Sequence, residues 1–260
     1  MSFPALAFIG SGNVAWHLAQ ALENVGYPVK EVYSPNNAHA QALVERLYDA
    51  RVVQSLDFSH SKAQIFIIAV SDAAIEEVAG DLVIPEDAIV VHTSGSMPLS
   101  KLGYVPTEHI GVFYPLQTFT KKHKVDFSQV PFCIETENIF TKKALFQLAS
   151  SLSKKVLEVN YADRMKLHLA AVFACNFSNH MMAISEKILS EQGLDNTLLH
   201  PLIVETINKS LEIGASNAQT GPAKRGDLEV LDRHMDLLVQ HPDWAQLYQI
   251  ISQNILDTYR

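Results

Sequence analysis

The chain has 260 residues, enough for two ordinary domains of roughly 100–200 residues each. Hydrophobic residues make up 48% and charged residues 18%, which excludes a disordered chain, and a formal net charge of −8 without a Lys/Arg stripe argues against nucleic acid as a partner. Cys133 and Cys175 stand far apart without metal-ligand neighbours, so neither a disulfide framework nor a metal site is expected, and a reducing cytoplasm is the expected location.

The first element is an apolar strand at Leu6–Ile9. It lacks the basic leader of a secretion signal and runs directly into Gly10-Ser11-Gly12-Asn13-Val14-Ala15. That G-x-G-x-x-A string opens an amphipathic segment through Val14, Leu18, Ala21, Leu22 and Val25, and a second strand follows at Val29–Tyr33. The order is that of a dinucleotide-binding βαβ unit. Gly10 permits the tight turn, Gly12 lacks the side chain that would hold a pyrophosphate off the backbone, and Ala15 lets helix and strand approach. Ser11, Asn13 and Val14 belong to the same cofactor-binding loop.

A carboxylate after the second strand binds the ribose hydroxyls in NAD-preferring domains. Here the sequence reads Tyr33-Ser34-Pro35-Asn36-Asn37. No carboxylate is present to repel a 2′-phosphate, and Ser34 and Asn36 can donate hydrogen bonds to one, so NADP (NADPH) is the expected cofactor.

Further strands are predicted at Arg51–Val53, 65–70, 88–92, 110–113, Phe132–Glu135 and 156–159, alternating with helix-like segments. The run from Ile65 is apolar without alternation, as suits a central strand buried on both faces. After Val159 the strands stop, and helices are predicted at 163–192, 196–213, 226–238 and 244–259, separated by Gly193, Gly214, Gly221-Pro222 and Pro242. The expected fold class is therefore α/β: an N-terminal Rossmann domain over residues 1–160, with a doubly wound, mostly parallel sheet, then an all-helical substrate and dimerisation domain over 161–260. The apolar stretch from Leu169 to Ile188 is broken by seven polar residues, and no membrane span is expected.

Beyond the fingerprint, Ala69-Val70-Ser71-Asp72-Ala73-Ala74-Ile75, Val91-His92-Thr93-Ser94-Gly95-Ser96 and Tyr114-Pro115-Leu116-Gln117-Thr118-Phe119 resemble segments of a bacterial family that pairs a Rossmann-like domain with a DUF2520 domain. In the second half, the string from His168 to Phe177 resembles that family's long-helix motif, and Thr220-Gly221-Pro222-Ala223-Lys224-Arg225-Gly226-Asp227 resembles its loop motif. The family is similar to the 6-phosphogluconate and 3-hydroxyisobutyrate dehydrogenases and pyrroline-5-carboxylate reductases, and its members are described as NADP oxidoreductases. The resemblance implies that His168 stands where the hydroxyacid dehydrogenases carry a catalytic Lys. It also implies a homodimer through the helical domain.

The candidate chemistry follows the strand ends. Val70, Ser71, Asp72 and Thr93 are expected at the cofactor, although Ser71 and Asp72 equally suit capping of the helix that follows. Ser94, with the Gly95 N–H, can hold a substrate carboxylate or carbonyl oxygen. His92 is read either as a direct participant or as a buried histidine tied to a backbone carbonyl. His168 is the expected acid/base, because its pKa lies near working pH. At α-helical spacing Cys175 and Asn179 fall near its face and Asn176 lies about 80° around, to orient substrate; the same polar stripe also fits a buried structural network. Arg225 can grip an anionic substrate or pair with Asp227, itself suited to a helix N-terminus.

The leading expectation is an NADP-dependent oxidoreductase acting on a small, carboxylate-bearing substrate bound between the two domains. A non-catalytic NADP-binding sensor and an oxidoreductase using another nucleotide-like cofactor such as a deazaflavin remain alternatives.

Overall fold

A computed structural model describes residues 3–259. Contacts divide the chain into two units, the first ending at Cys175 and the second beginning at Asn176.

The first unit is built on an eight-stranded sheet: β1 (Leu6–Ile9), β2 (Val29–Tyr33), β3 (Arg51–Val53), β4 (Ile65–Ile68), β5 (Ile89–His92), β6 (Ile110–Pro115), β7 (Phe132–Glu135) and β8 (Val156–Glu158), in spatial order β3-β2-β1-β4-β5-β6-β7-β8. All neighbours run parallel except β6 and β7. Alternating side chains feed two cores. Leu6 and Phe8 face a cluster that includes Leu18 and Leu22 of α1 (Asn13–Asn24), whereas Ala7 and Ile9 face one with Ile75 and Ala79 of α3 (Ile75–Asp81). A strand covered on both faces must be apolar at every position, and β4 is buried throughout, near the middle of the sheet.

The expected strand 65–70 ends at Ile68; Ala69 and Val70 turn outward at the sheet's carboxyl edge. Sequence order reverses between β1 and β4, the switch point where open α/β sheets present a crevice. The remaining helices of this unit are α2 (Asn37–Val44), α4 (Ile139–Ser150) and α5 (Tyr161–Ala171).

The single helix expected over 163–192 is instead α5, a π-helical turn at Val172–Phe177, and α6 (Ser178–Glu191). Hydrogen bonds in a π turn reach one residue further than in an α-helix, so rotation no longer accumulates at 100° per residue beyond Ala171. The helical-wheel placement of Cys175 beneath His168 therefore fails. The second unit continues with α7 (His200–Ile213), α8 (Ala215–Ala218), α9 (Pro222–Arg225), α10 (Leu228–Leu237) and α11 (Pro242–Tyr259). Its buried cluster consists of Ala223, Leu231 and Leu256.

Among the described residues no helix is long and apolar enough to cross a membrane, and no group of three His, Cys, Asp or Glu is placed to hold a metal.

Candidate functional site

The crevice at the switch point is a cleft of about 630 Å³. Gly10, Ser11, Gly12, Asn13 and Val14 line it from the β1–α1 turn, Ser34 and Asn36 from the end of β2, Val70 and Ser71 from beyond β4, and Thr93 from beyond β5. Gly10 has φ +107°, and a Cβ there would lie 2.3 Å from the Ala69 carbonyl oxygen, so this turn closes only on glycine. Gly12 is different. Its backbone is ordinary extended chain, and the nearest atom to an added Cβ is Ala69 O at 3.9 Å, so the absent side chain leaves room in the cleft itself.

No side chain caps α1, whose first N–H groups are left available at the cleft. Asn36 caps α2 by accepting from the His39 N–H at 3.2 Å, leaving its amide NH₂ as a donor; His39 lines the cleft beside it. None of the lining residues is a Lys or Arg.

A second cluster lies at the ends of β5 and β6. The Ser94 N–H donates to His92 Nδ1 at 3.2 Å, and Ser94 Oγ accepts from the N–H groups of Ser96 and Met97, both at 3.1 Å. The Thr93 N–H donates to Ile68 O at 3.1 Å. Of the N–H groups from Thr93 to Met97, only that of Gly95 has no partner among the described residues.

Ser96 donates its hydroxyl proton to the Asp72 carboxylate, and Ser94 Oγ lies 3.3 Å from Ser96 Oγ. Asp72 is thus tied to the Ser94 turn and is absent from the cleft lining, and neither it nor Ser71 caps the following helix through its side chain. His92 is fully buried and is pushed down to about 4, first by burial and then by the Arg164 charge. It stays neutral at neutral pH and accepts the Ser94 N–H at Nδ1, while the Pro98 backbone, which has only a carbonyl to offer, acts on it in the opposite sense to burial.

Tyr114, on β6, and His168, on α5, close over Gly95. Tyr114 Oη is 3.2 Å from His168 Nδ1, and a Cβ on Gly95 would lie 2.6 Å from Tyr114 Cζ and 2.7 Å from His168 Nδ1. Burial pushes the Tyr114 phenol up to about 12. It therefore keeps its proton, and its oxygen is able either to donate to Nδ1 or to accept from Nδ1–H.

One turn earlier on the same face of α5, Arg164 is fully buried. It donates to Glu135 Oε2 from Nη2 at 2.8 Å and from Nε at 3.2 Å, and from Nη1 to the carbonyls of Ser94 and Gly95 at 3.0 Å each.

Tyr114, Arg164 and Glu135 were not singled out from sequence. Tyr114 lay within a recognised segment, and Arg164 stands four residues before His168, the spacing that puts two helical side chains on one face. Asn176, Asn179 and Cys175 are exposed in the single chain, so no buried polar network forms among them within it. Arg225, in the second unit, is exposed and has no ion pair among the described residues, while Asp227 caps α10 by accepting from the Val230 N–H at 3.3 Å.

The glycine turn, the switch-point cleft and the reversed strand order define a protein of the Rossmann class. Residues 4–110 match the Rossmann-like domain and residues 130–255 match the domain of unknown function DUF2520. The chain belongs to the family that joins these two domains.

Among solved structures, it is 37% identical to a Bacteroides fragilis protein described as a "putative NADP oxidoreductase", with 98% of each chain covered and a TM-score of 0.91. A Thermotoga maritima protein is 22% identical over 97% of each chain, with a TM-score of 0.69. An imine reductase from Myxococcus stipitatus, in complex with NADP+, shares the fold at 15% identity and a TM-score of 0.66, covering 98% of this chain and 96% of that one. No curated protein matches the sequence.

Proposed function

We propose that this protein is an NADP-dependent oxidoreductase that reduces or oxidises a small, carboxylate-bearing substrate at the Ser94–His168 cluster. The carrying observation is the adjacency of two features at one sheet edge: a cleft shaped by Gly10 and Gly12, and beyond the next strand ends a cluster of fixed donors with a histidine. The cleft fits a dinucleotide, because Gly12 leaves space where a side chain would stand and the first turn of α1 offers N–H groups for a pyrophosphate. A bound nicotinamide dinucleotide supplies or accepts the hydride.

Ser34, Asn36 and His39 offer donors to a 2′-phosphate, and the carboxylates that line the cleft, Glu77 and Asp81, belong to α3 and not to the end of β2 where NAD-preferring domains carry one, which favours NADP over NAD. The description of the Bacteroides fragilis relative as a "putative NADP oxidoreductase" agrees with this reading. Ser94 Oγ already accepts two N–H bonds, and with the Ser96 proton on Asp72 its own hydroxyl proton rests on Ser96 Oγ, so the Gly95 N–H is the free donor for a substrate carboxylate or carbonyl oxygen and the Ser94 hydroxyl joins it on turning from Ser96. His168, in its imidazolium form, gives a proton from Nε2 to the substrate oxygen or nitrogen and is left as the neutral ring, whose Nδ1–H donates to Tyr114 Oη.

We also infer a homodimer through the helical unit. Leu202, Ile207 and Leu211 of α7 are 62%, 47% and 81% exposed, and a three-residue buried cluster is too small to hold such a unit alone.

The test is a metabolite panel screened for NADPH oxidation and NADP+ reduction. His168→Gln is expected to lower turnover of the substrate found by at least ~10²-fold while sparing NADPH binding. Unchanged turnover refutes the acid/base role, and tight NADPH binding with no turnover across a broad panel favours a sensor.

A further inference from the structure

We propose that Arg164 is a positioning residue: it holds the Ser94–Gly95 peptide so that the Gly95 N–H is presented, and polarised, as a donor to an anionic oxygen. The proposal rests on the reading of this turn as the site for a substrate oxygen.

In a trans peptide the C=O and N–H point in opposite directions. Arg164 Nη1 donates to the Ser94 carbonyl at 3.0 Å, and this carbonyl belongs to the same peptide as the Gly95 N–H. Pinning the oxygen toward Arg164 therefore turns the N–H away from it. The second bond, to the Gly95 carbonyl, fixes the next peptide, so the turn cannot flip at either plane. A charged donor on a carbonyl also draws electron density from the amide nitrogen, which strengthens the N–H as a donor.

Among the described residues no acceptor takes the Gly95 N–H, whereas the N–H groups of its neighbours are bonded to Ile68 O, His92 Nδ1 and Ser94 Oγ. A buried N–H left without a partner is uncommon in a folded chain and calls for an acceptor.

Glu135 completes the device. Its Oε2 takes both Nε and Nη2 of Arg164, orienting the planar guanidinium so that Nη1 meets the two carbonyls, and its charge balances a cation with no exposed surface. The bridge runs from β7 to the turn after β5. It leaves Arg164 no free charge for a ligand, so its influence passes through the peptide.

The experiment uses the full chain with glycine ¹⁵N-labelled, NADP+ added, and acetate as the anionic-oxygen probe. The Gly95 amide resonance of the wild type is expected to shift saturably with acetate. Removing one partner alone would strand a buried charge, so the main variant is the double substitution Glu135→Leu/Arg164→Met, which replaces the pair by apolar groups.

This variant is expected to bind NADP+ as the wild type does and acetate at least about tenfold more weakly. Arg164→Lys, which keeps the cation but loses the planar fork, serves if the double variant does not fold, with an expected loss of at least ~3-fold. Wild-type acetate affinity in either folded variant, or no acetate effect on the Gly95 amide of the wild type, overturns the proposal. Failure of the wild type to bind NADP+ would instead overturn the cofactor reading, and acetate titration without dinucleotide would still decide the role of Arg164.

Discussion

Gly10 and Gly12 sit two residues apart in one turn, yet substitution should affect them through different physics. A methyl group on Gly10 would lie 2.3 Å from the Ala69 carbonyl oxygen, more than 1 Å inside ordinary contact, and the obstacle is backbone of the central strand's exit. The φ of +107° adds the cost of a side chain in a region reserved for glycine, roughly 1–2 kcal/mol. With ~1–3 kcal/mol for overpacking, Gly10→Ala should lose about 2–5 kcal/mol of stability.

Gly12 has no such obstacle, with φ −71° and its nearest neighbour at 3.9 Å, so Gly12→Val should unfold in urea within ~0.5 kcal/mol of the wild type. Its side chain would occupy the cleft where the pyrophosphate is proposed to lie. NADPH affinity, followed by nicotinamide fluorescence, should fall at least tenfold, about 1.4 kcal/mol. Wild-type NADPH affinity in Gly12→Val would refute the placement of the dinucleotide. Wild-type stability in Gly10→Ala would refute the packing argument.

Ser34→Asp places a carboxylate where the 2′-phosphate is proposed to sit, and should weaken NADPH binding by about tenfold or more relative to NADH; an unchanged ratio in parallel titrations would remove Ser34 from the selectivity. His92 should make stability pH-dependent. Its folded-state pKa of about 4 lies below the ordinary 6.5, so the unfolded chain binds the proton more readily and stability is lost as pH falls through that window. The loss should reach ~2 kcal/mol by pH 5, and urea unfolding of His92→Asn should show a correspondingly flatter profile between pH 7 and 5. Light scattering should give twice the 28.8 kDa chain mass, and Leu202→Lys/Leu211→Lys should shift the mass toward one chain; a wild-type monomer at working concentration would refute the helical interface.

Much of the first unit was legible because its signals are local. The unbroken apolar run after Gln64 suits a strand covered on both faces, which Ile65–Ile68 form, and the Gly-x-Gly turn behind Ile9 requires glycine at Gly10 for reasons of backbone geometry. The second unit was less legible. A π turn leaves no mark in hydrophobic periodicity, since it depends on one extra residue being accommodated in a turn, so the wheel drawn through His168 and Cys175 used an angle the chain does not follow.

Sequence alone also singled out Ser94, Gly95 and His168 as candidates, and the fold brings them to one place; their spacing along the chain says nothing of that distance. What tertiary structure decided was the company they keep. Tyr114 lies 54 positions from His168 and Glu135 lies 29 from Arg164, and these pairs meet because β6 and β7 lie side by side, facing one end of α5. Which N–H of the Ser94 turn stays free, and which way its peptide points, are consequences of that meeting. Local composition fixes the propensity of a segment, whereas the orientation of a buried dipole is set by the charges packed around it.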